Sequence, residues 1–211
     1  MPARFPRAFF ARPATRVAPE LLGQRLVRRL ADGTRLAGMI VEAEAYEPGD
    51  PASHSYRGPT PRNEVMFGPA GHLYVYFTYG NHWMANVVTG RPGEGSAVLL
   101  RAVRPAEGID RMSANRGRDE LLQLCSGPGK LAQAFAISRE QNDEDLVSGS
   151  VVWLERVNAT VHRSKGPRVG VSVGVEPNWR FWVKGDPFVS KGRPGPPGSR
   201  NRRPTRGSAR R

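Results

Sequence analysis

The chain has 211 residues, with 32 Lys or Arg against 19 Asp or Glu, and its formal net charge is +13. This length favours one domain, or one domain with a tail, and no apolar run approaches the ~18 residues of a membrane-spanning helix. A single cysteine excludes an intrachain disulfide, and the four histidines show no metal-ligand spacing, so we expect no metal site.

The first half of the chain predicts a β-hairpin followed by a long polar loop. A short helix is expected at residues 20–23, because a proline and an acid suit its first turn. Residues 24–30 and 35–46 flank an Asp-Gly turn signal, so they predict two paired strands. Residues 47–63 are rich in Pro, Gly and Ser, which is typical of a loop.

A second hairpin is predicted where three of the five tyrosines, Tyr74, Tyr76 and Tyr79, precede Gly80-Asn81. That dipeptide is a two-residue hairpin signal, so Tyr79 is expected at the hairpin tip. A tyrosine there is flat and long enough to enter a base stack. The alternative is an aromatic cross-strand cluster that stabilises the sheet, and the spacing by itself favours that alternative.

The second half of the chain predicts further strands and two helices. Strands are expected at residues 96–103, 151–156, 168–173 and 179–183, and helices near Ala106 and at residues 129–137. There is no internal repeat, and strands and helices do not alternate at the spacing of parallel β-α-β units. We therefore predict a single α+β domain with a mainly antiparallel sheet, ending near Ser190.

The C-terminal residues 191–211 carry eight Lys or Arg and no acid. They are also rich in Gly and Pro and cannot bury a core, which predicts a disordered basic tail. Such a tail favours a polyanion partner, because binding releases condensed counterions. An incidental solubilising extension is the alternative.

Two carboxylates, Glu42 and Glu44, alternate along the strand MIVEAEAY and are expected on one face together with Ile40. If the opposite face packs on the core, both carboxylates can line a cleft. An exposed polar face is the alternative, and for acids at this spacing it is the commoner case.

The sequence SGPGK, from Ser126 to Lys130, lies at the start of a predicted helix. It lacks the G-x-x-x-x-G-K-[ST] frame of a nucleoside triphosphate site, because Leu131 follows the lysine. The amides around Gly127, together with Lys130, can hold one DNA phosphate. A plain helix cap is the alternative.

Seven sequence blocks, in order and covering nearly all of residues 9–190, resemble the alkyladenine (3-methyladenine) DNA glycosylase family. The blocks are FFARPATRVAPELLGQRLVRR, IVEAEAY, ASHSYRGPTPRN, MFGPAGHLYVYFTYGNHWMANVV, AVLLRAV, LCSGPGKLAQAF and PRVGVSVGV.

This resemblance implies a base-excision-repair enzyme that needs no cofactor. It would flip alkylated or deaminated purines, such as 3-methyladenine, 7-methylguanine, hypoxanthine or ethenoadenine, out of double-stranded DNA and hydrolyse the N-glycosidic bond. It also implies a curved antiparallel sheet with a protruding hairpin. We expect a monomer with a flexible N-terminus at 1–8, a glycosylase domain at 9–190 and the tail at 191–211, located in the bacterial cytoplasm near the nucleoid or in a eukaryotic nucleus.

The catalytic roles also follow from the resemblance. Glu44 takes the place of the general base, and Arg101 that of a residue that helps to hold the attacking water. A backbone carbonyl of Val169 or Val171 is expected to touch the same water. No lysine stands in the matched pocket, so we expect neither a Schiff base nor strand nicking.

The resemblance assigns the binding roles to five residues. Tyr46, His54 and Tyr76 match the pocket that sandwiches the extruded base. Asn86 matches the amide that collides with the 2-amino group of guanine, and Tyr79 matches the residue that intercalates into the gap left by the flipped nucleotide.

Two other classes compete with this interpretation. One is a non-catalytic nucleic-acid-binding protein that uses its tyrosines as a stacking platform. The other is an unrelated hydrolase with a structural aromatic hairpin, which the order of the blocks disfavours. Release of free purine from damaged DNA separates them.

Overall fold

An eight-stranded sheet organises the chain, and its two longest strands, β2 (Arg35–Tyr46) and β5 (Ser96–Glu107), pair with each other. The computed structural model describes residues 3–78 and 80–192. The other strands are β1 (Arg25–Arg29), β3 (Leu73–Thr78), β4 (His82–Thr89), β6 (Val152–Glu155), β7 (Arg163–Gly166) and β8 (Arg180–Val183). Their order is β3-β4-β5-β2-β1-β6, with β8 pairing both β2 and β7, and every pairing is antiparallel.

Five short α-helices accompany the sheet. They are α1 (Arg7–Phe10), α2 (Ala14–Leu21), α3 (Ile109–Arg116), α4 (Leu121–Leu124) and α5 (Pro128–Ala134), with 3-10 turns at Glu64–Phe67 and Arg139–Gln141. None of these described helices is long and apolar enough to cross a bilayer. The predicted α+β class and the curved, antiparallel sheet are confirmed.

The main core lies between the sheet and α2 and α5. In α2, the buried residues follow the i, i+3, i+4, i+7 spacing of an amphipathic helix: Ala14, Val17, Ala18 and Leu21. This apolar face explains why the helix predicted at residues 20–23 was misplaced. The packing of α2 outweighs the first-turn signal of Pro19, which lies inside the helix.

The pairing of β2 with β5 is irregular where the two glutamates lie. Ile40 faces Val103 and Glu42 faces Ala102, which leaves Val41 as an extra residue on β2. The compensating irregularity leaves Arg101 as an extra residue on β5. Ile40 therefore lies in the core, and the prediction that it shares one face of the strand with the two glutamates is wrong. Such bulges re-aim side chains and are frequent beside active sites.

One further prediction is displaced by a few residues, and another is wrong. The helix expected to begin near Ala106-Glu107 forms as α3 but begins at Ile109, because β5 continues to Glu107, which pairs with Ala37 and binds the guanidinium of Arg35. Gly108 then adopts a φ of 72° and separates the strand from α3. Residues 168–173 form bends instead of a strand, because the N–H of Val169 bonds a carboxylate and no neighbouring strand.

The remaining boundaries differ less from the predictions. The helix expected at residues 129–137 begins one residue earlier and ends at Ala134, and β7, a polar strand, had not been predicted. The N-terminal boundary at residue 9 stays a prediction, although Phe5 lies in the core.

The tyrosine hairpin forms as β3 and β4, but its loop is longer than predicted. Thr78 pairs with His82, so three residues connect the strands, where Gly80-Asn81 had predicted two. Gly80 has the positive φ, 73°, that the sequence required. Tyr79 lies outside the described residues.

Candidate active site

A cavity of about 300 Å³ lies on the side of the sheet opposite the main core. The ends of β2 and β5, the β3–β4 hairpin, the loop after β2 and the segment at residues 169–171 enclose it. Five residues predicted for the site line it together: Tyr46, His54, Tyr76, Asn86 and Arg101. Residues more than 50 positions apart thus meet in one concavity.

Glu44 lies directly behind this cavity, and its side chain is completely buried. Its Oε1 accepts a hydrogen bond from the N–H of Val169 at 2.7 Å. Its Oε2 accepts bonds from the Tyr46 hydroxyl at 3.0 Å and from Nη1 of Arg101 at 3.2 Å. All three donor residues line the cavity, so they connect the carboxylate to anything bound there.

Arg101 is shared between the two glutamates. Its Nε donates to Oε1 of Glu42 at 2.8 Å, while its Nη1 reaches Glu44. Burial disfavours the charged guanidinium, but the charges of Glu44 and Glu42 outweigh burial and raise the pKa of Arg101. Both glutamates are fully buried, so the exposed-face alternative is wrong.

Glu42 has further partners that the sequence did not indicate. Its Oε1 accepts bonds from Nε of Arg180 at 2.8 Å and from the hydroxyl of Ser190 at 2.9 Å. Its Oε2 accepts from the N–H of Ser190 at 2.7 Å. No side-chain atom of Glu42 lines the cavity. Glu42 therefore positions Arg101 from the side away from the cavity. It also links Ser190, which follows β8 in the sequence, to the site.

Tyr46 forms a wall of the cavity and has a cation behind it. Burial, followed by the nearby negative charge of Glu44, raises the pKa of Tyr46 well above its usual value, so its hydroxyl stays a donor. The Cζ atom of Arg168 lies 4.7 Å from the centroid of the Tyr46 ring. Arg168 itself is buried against Asp50.

His54 and two tyrosines form a second aromatic wall. The ring centroids of His54 and Tyr76 are 4.2 Å apart, and Nδ1 of His54 lies 3.1 Å from the hydroxyl of Tyr74. Burial and the charge of Arg62 lower the pKa of His54, which favours the neutral imidazole at neutral pH. Tyr74, to which the resemblance assigned no binding role, also lines the cavity.

Asn86 is buried in the cavity wall, where β4 pairs with β3 and β5. Its Nδ2 donates to the carbonyl of Tyr74 at 3.1 Å, so the amide has a fixed orientation. Its cross-strand partner is Tyr74, whereas Tyr76 pairs with Met84.

Two further predicted residues, Gly127 and Lys130, lie in sequence on either side of Pro128, which itself lines the cavity. Gly127 caps α5, and Nζ of Lys130 donates to Oε1 of Gln123 at 2.6 Å. A Cβ atom at Gly129 would lie 2.8 Å from Cγ of His82, so this glycine lets α5 approach β4 closely. Neither Gly127 nor Lys130 lines the cavity, and their contact with a DNA phosphate stays a prediction.

Sequence reasoning missed Asp50, Arg168, Arg180 and Ser190. A sequence signal existed only for Arg168, which is the single charged residue in a segment of Gly, Val and Ser at 168–175. Among residues 3–78 and 80–192, no group of three or more His, Cys, Asp or Glu is placed to hold a metal ion.

Comparison with known proteins identifies the family. The sequence model of the family described as methylpurine-DNA glycosylase (MPG) matches residues 8–187. Proteins named "Putative 3-methyladenine DNA glycosylase" from Agrobacterium fabrum and Carboxydothermus hydrogenoformans are 50% and 46% identical over 187 and 188 residues. Each alignment covers 88% of this chain, and 92% and 98% of the respective relative.

A protein of the same name from Methanoculleus marisnigri is 47% identical over 190 residues, covering 88% of this chain and 98% of its own length. The family model and these relatives span the strands that build the cavity. The predicted resemblance is therefore confirmed, and the chain belongs to the methylpurine-DNA glycosylase family.

Proposed function

We propose that the chain flips an alkylated or deaminated purine out of duplex DNA into the aromatic cavity and hydrolyses its N-glycosidic bond with a water activated by Glu44. Family membership makes the chain a DNA glycosylase. One observation carries the mechanism: a fully buried carboxylate, held by three donors, lies directly behind an aromatic cavity.

The geometry around Glu44 supports a role as general base. Hydrolysis of an N-glycosidic bond develops positive charge on the sugar, which a carboxylate can stabilise while it accepts a proton from water. We assign the attacking water to the cavity side of Oε2, the oxygen that also accepts from the Tyr46 hydroxyl and Arg101. Nη1 of Arg101 donates to the same oxygen at 3.2 Å, so it holds the proposed base in position.

The aromatic walls support binding of an extruded base. Tyr46 and Tyr76 line the cavity together with His54, and flat π faces bind purines by stacking. Alkylated bases such as 3-methyladenine and 7-methylguanine are cationic, so a tyrosine face adds a cation–π contribution of about 0.5–2 kcal/mol. We assign Asn86, whose Nδ2 donates to the carbonyl of Tyr74, to help reject unmodified guanine through its 2-amino group.

Flipping costs a few kcal/mol, least at damaged or weakly paired bases, which adds selectivity. We assign Tyr79, which follows β3 in the sequence, to the gap that the flipped nucleotide leaves. Stacking of its ring would offset about 1–3 kcal/mol of that cost.

The decisive test is incubation of the purified protein with methylated duplex DNA, followed by chromatography of the released bases. We expect free 3-methyladenine and 7-methylguanine, with the DNA strand left intact at an abasic site. Parallel duplexes containing inosine or ethenoadenine define the lesion range. Binding to damaged DNA without any released base would instead identify a non-catalytic nucleic-acid-binding protein.

Removal of residues 193–211 should reduce non-specific DNA affinity, because it deletes seven arginines. Truncation after Gly192 preserves the domain, since Gly192 packs against Val169 and Arg101 beside the cavity. The slope of log K against log salt should become shallower, by up to about 6 if every arginine contacts a phosphate. An unchanged slope would favour an incidental extension, and a loss of lesion discrimination would contradict a purely electrostatic role.

A further inference from the structure

The cation next to Tyr46 belongs to a buried ion pair between Arg168 and Asp50. Arg168 and Asp50 are both buried, at 1% and 5% exposed. Nη2 of Arg168 donates to Oδ1 of Asp50 at 3.0 Å, and its Nη1 bonds the other carboxylate oxygen. Two backbone carbonyls, of Ala45 at 3.2 Å and Gly174 at 2.7 Å, accept from the same guanidinium.

The guanidinium reaches Tyr46 from the protein side. Tyr46 lines the cavity, whereas neither Arg168 nor Asp50 does. The Cζ atom of Arg168 lies 4.7 Å from the Tyr46 centroid and 5.2 Å from the ring of Trp179. Tyr46 therefore separates a fixed cation from any base that stacks on its cavity face.

We propose that the Arg168–Asp50 pair sets how strongly the cavity discriminates cationic from neutral damaged bases. This inference rests on the proposed function, because it requires a base to stack on Tyr46. A cation held against one face of an aromatic ring draws on the same quadrupole that would attract a cationic base on the other face. Arg168 thus disfavours a cationic base, and the carboxylate of Asp50 partly offsets that effect.

Stabilisation of the fold alone does not explain why an ion pair is buried at this position. Burying an ion pair is costly, and apolar residues of similar volume often stabilise a protein equally well. Nε of Arg168 has no hydrogen-bond partner although it is buried, so the guanidinium is not fully satisfied even by Asp50 and two carbonyls. Its stacking on Tyr46 and Trp179 is the contact that a buried lysine could not reproduce.

The test uses two bases of the same shape and different charge. One duplex carries 7-methylguanine, which is cationic, and the other carries its neutral isostere 7-methyl-7-deazaguanine at the same position. Both retain the 2-amino group, so any contribution of Asn86 cancels. Affinities are measured in a Glu44→Gln background, which prevents base release, for three variants: Arg168→Met, Asp50→Asn and the double substitution.

The charge preference is defined as the affinity for the cationic base divided by the affinity for the neutral base. It should change in opposite directions in the two single variants. Arg168→Met leaves the Asp50 carboxylate behind the ring and should raise the ratio, whereas Asp50→Asn leaves an uncompensated cation and should lower it. The expected shifts are about 2- to 30-fold, the range that corresponds to a cation–π contact. Because Asp50 offsets the cation only in part, the double variant should lie between the two single variants and above the parent ratio.

Shifts in the same direction, or no shift beyond twofold, would overturn the inference, because a merely structural role weakens both affinities together. If Arg168→Met fails to give a cooperative melting transition, Asp50→Asn decides the matter alone, and an unchanged or raised ratio refutes the inference. Failure of the proposed function would appear separately, as no base released from methylated DNA by the unsubstituted chain.

Discussion

Replacement of Glu44 by Gln should abolish base release while lesion-containing DNA is still bound. Gln keeps the size of the side chain. Its amide oxygen can accept from the N–H of Val169 while its NH2 group donates to the Tyr46 hydroxyl, so the cavity should persist. It cannot accept a proton from water or stabilise positive charge on the sugar. Loss of a general base lowers rates by about 10²–10⁴-fold, which single-turnover release of 7-methylguanine can measure.

Glu47→Gln is the matched control, because Glu47 is a nearby carboxylate that does not line the cavity. Its Oε1 accepts bonds from the N–H and hydroxyl of Thr15 at 2.8 and 2.9 Å, and its Oε2 accepts from the hydroxyl of Ser96 at 3.2 Å. This control should retain most of the activity. Turnover of the Glu44→Gln protein near that of the unsubstituted chain would refute the assignment of the base.

Replacement of Glu42 by Gln should cause the largest loss of stability. The substitution leaves the guanidinium groups of Arg101 and Arg180 without the anion that both contact at 2.8 Å. These side chains are only 6% and 11% exposed, so water cannot replace the lost charge. Breaking a buried pair in this way costs about 3–5 kcal/mol, which urea denaturation can measure as a lower free energy of unfolding.

An exposed ion pair provides the comparison. Arg12 contacts Glu20 at 2.8 Å, but the two side chains are 37% and 43% exposed. Glu20→Gln should therefore change the free energy of unfolding by no more than about 1 kcal/mol. If Glu42→Gln costs no more than this control, the Glu42–Arg101–Arg180 cluster does not stabilise the domain.

Local pattern was enough to predict several elements of the sheet. The bounds of β2, Arg35–Tyr46, match the prediction to the residue, because an Asp-Gly turn and a long β-type apolar stretch act within a few positions. The tyrosine hairpin follows from the same local signals, although its loop has one more residue than predicted. The site residues were named from sequence blocks, and the fold brings Tyr46, Tyr76 and Arg101 into one cavity.

Tertiary structure alone decided how that cavity is supported. Ser190 bonds Glu42 across 148 positions, and Arg168 bonds Asp50 across 118. No periodicity or propensity reports a pairing at such a separation, because these signals act within one strand or one helical turn. Residues 168–173 illustrate this limit, since β-branched residues predicted a strand where a buried arginine and a carboxylate bond impose bends.

Motifs and alternation were enough to predict the family, the antiparallel α+β fold and the carboxylate proposed as the base. The fold adds that Glu44 is buried, that it shares Arg101 with Glu42, and that the guanidinium of Arg168 lies next to Tyr46. Motifs and alternation are local properties of the chain, whereas burial and charge pairing depend on which distant segments the sheet brings together.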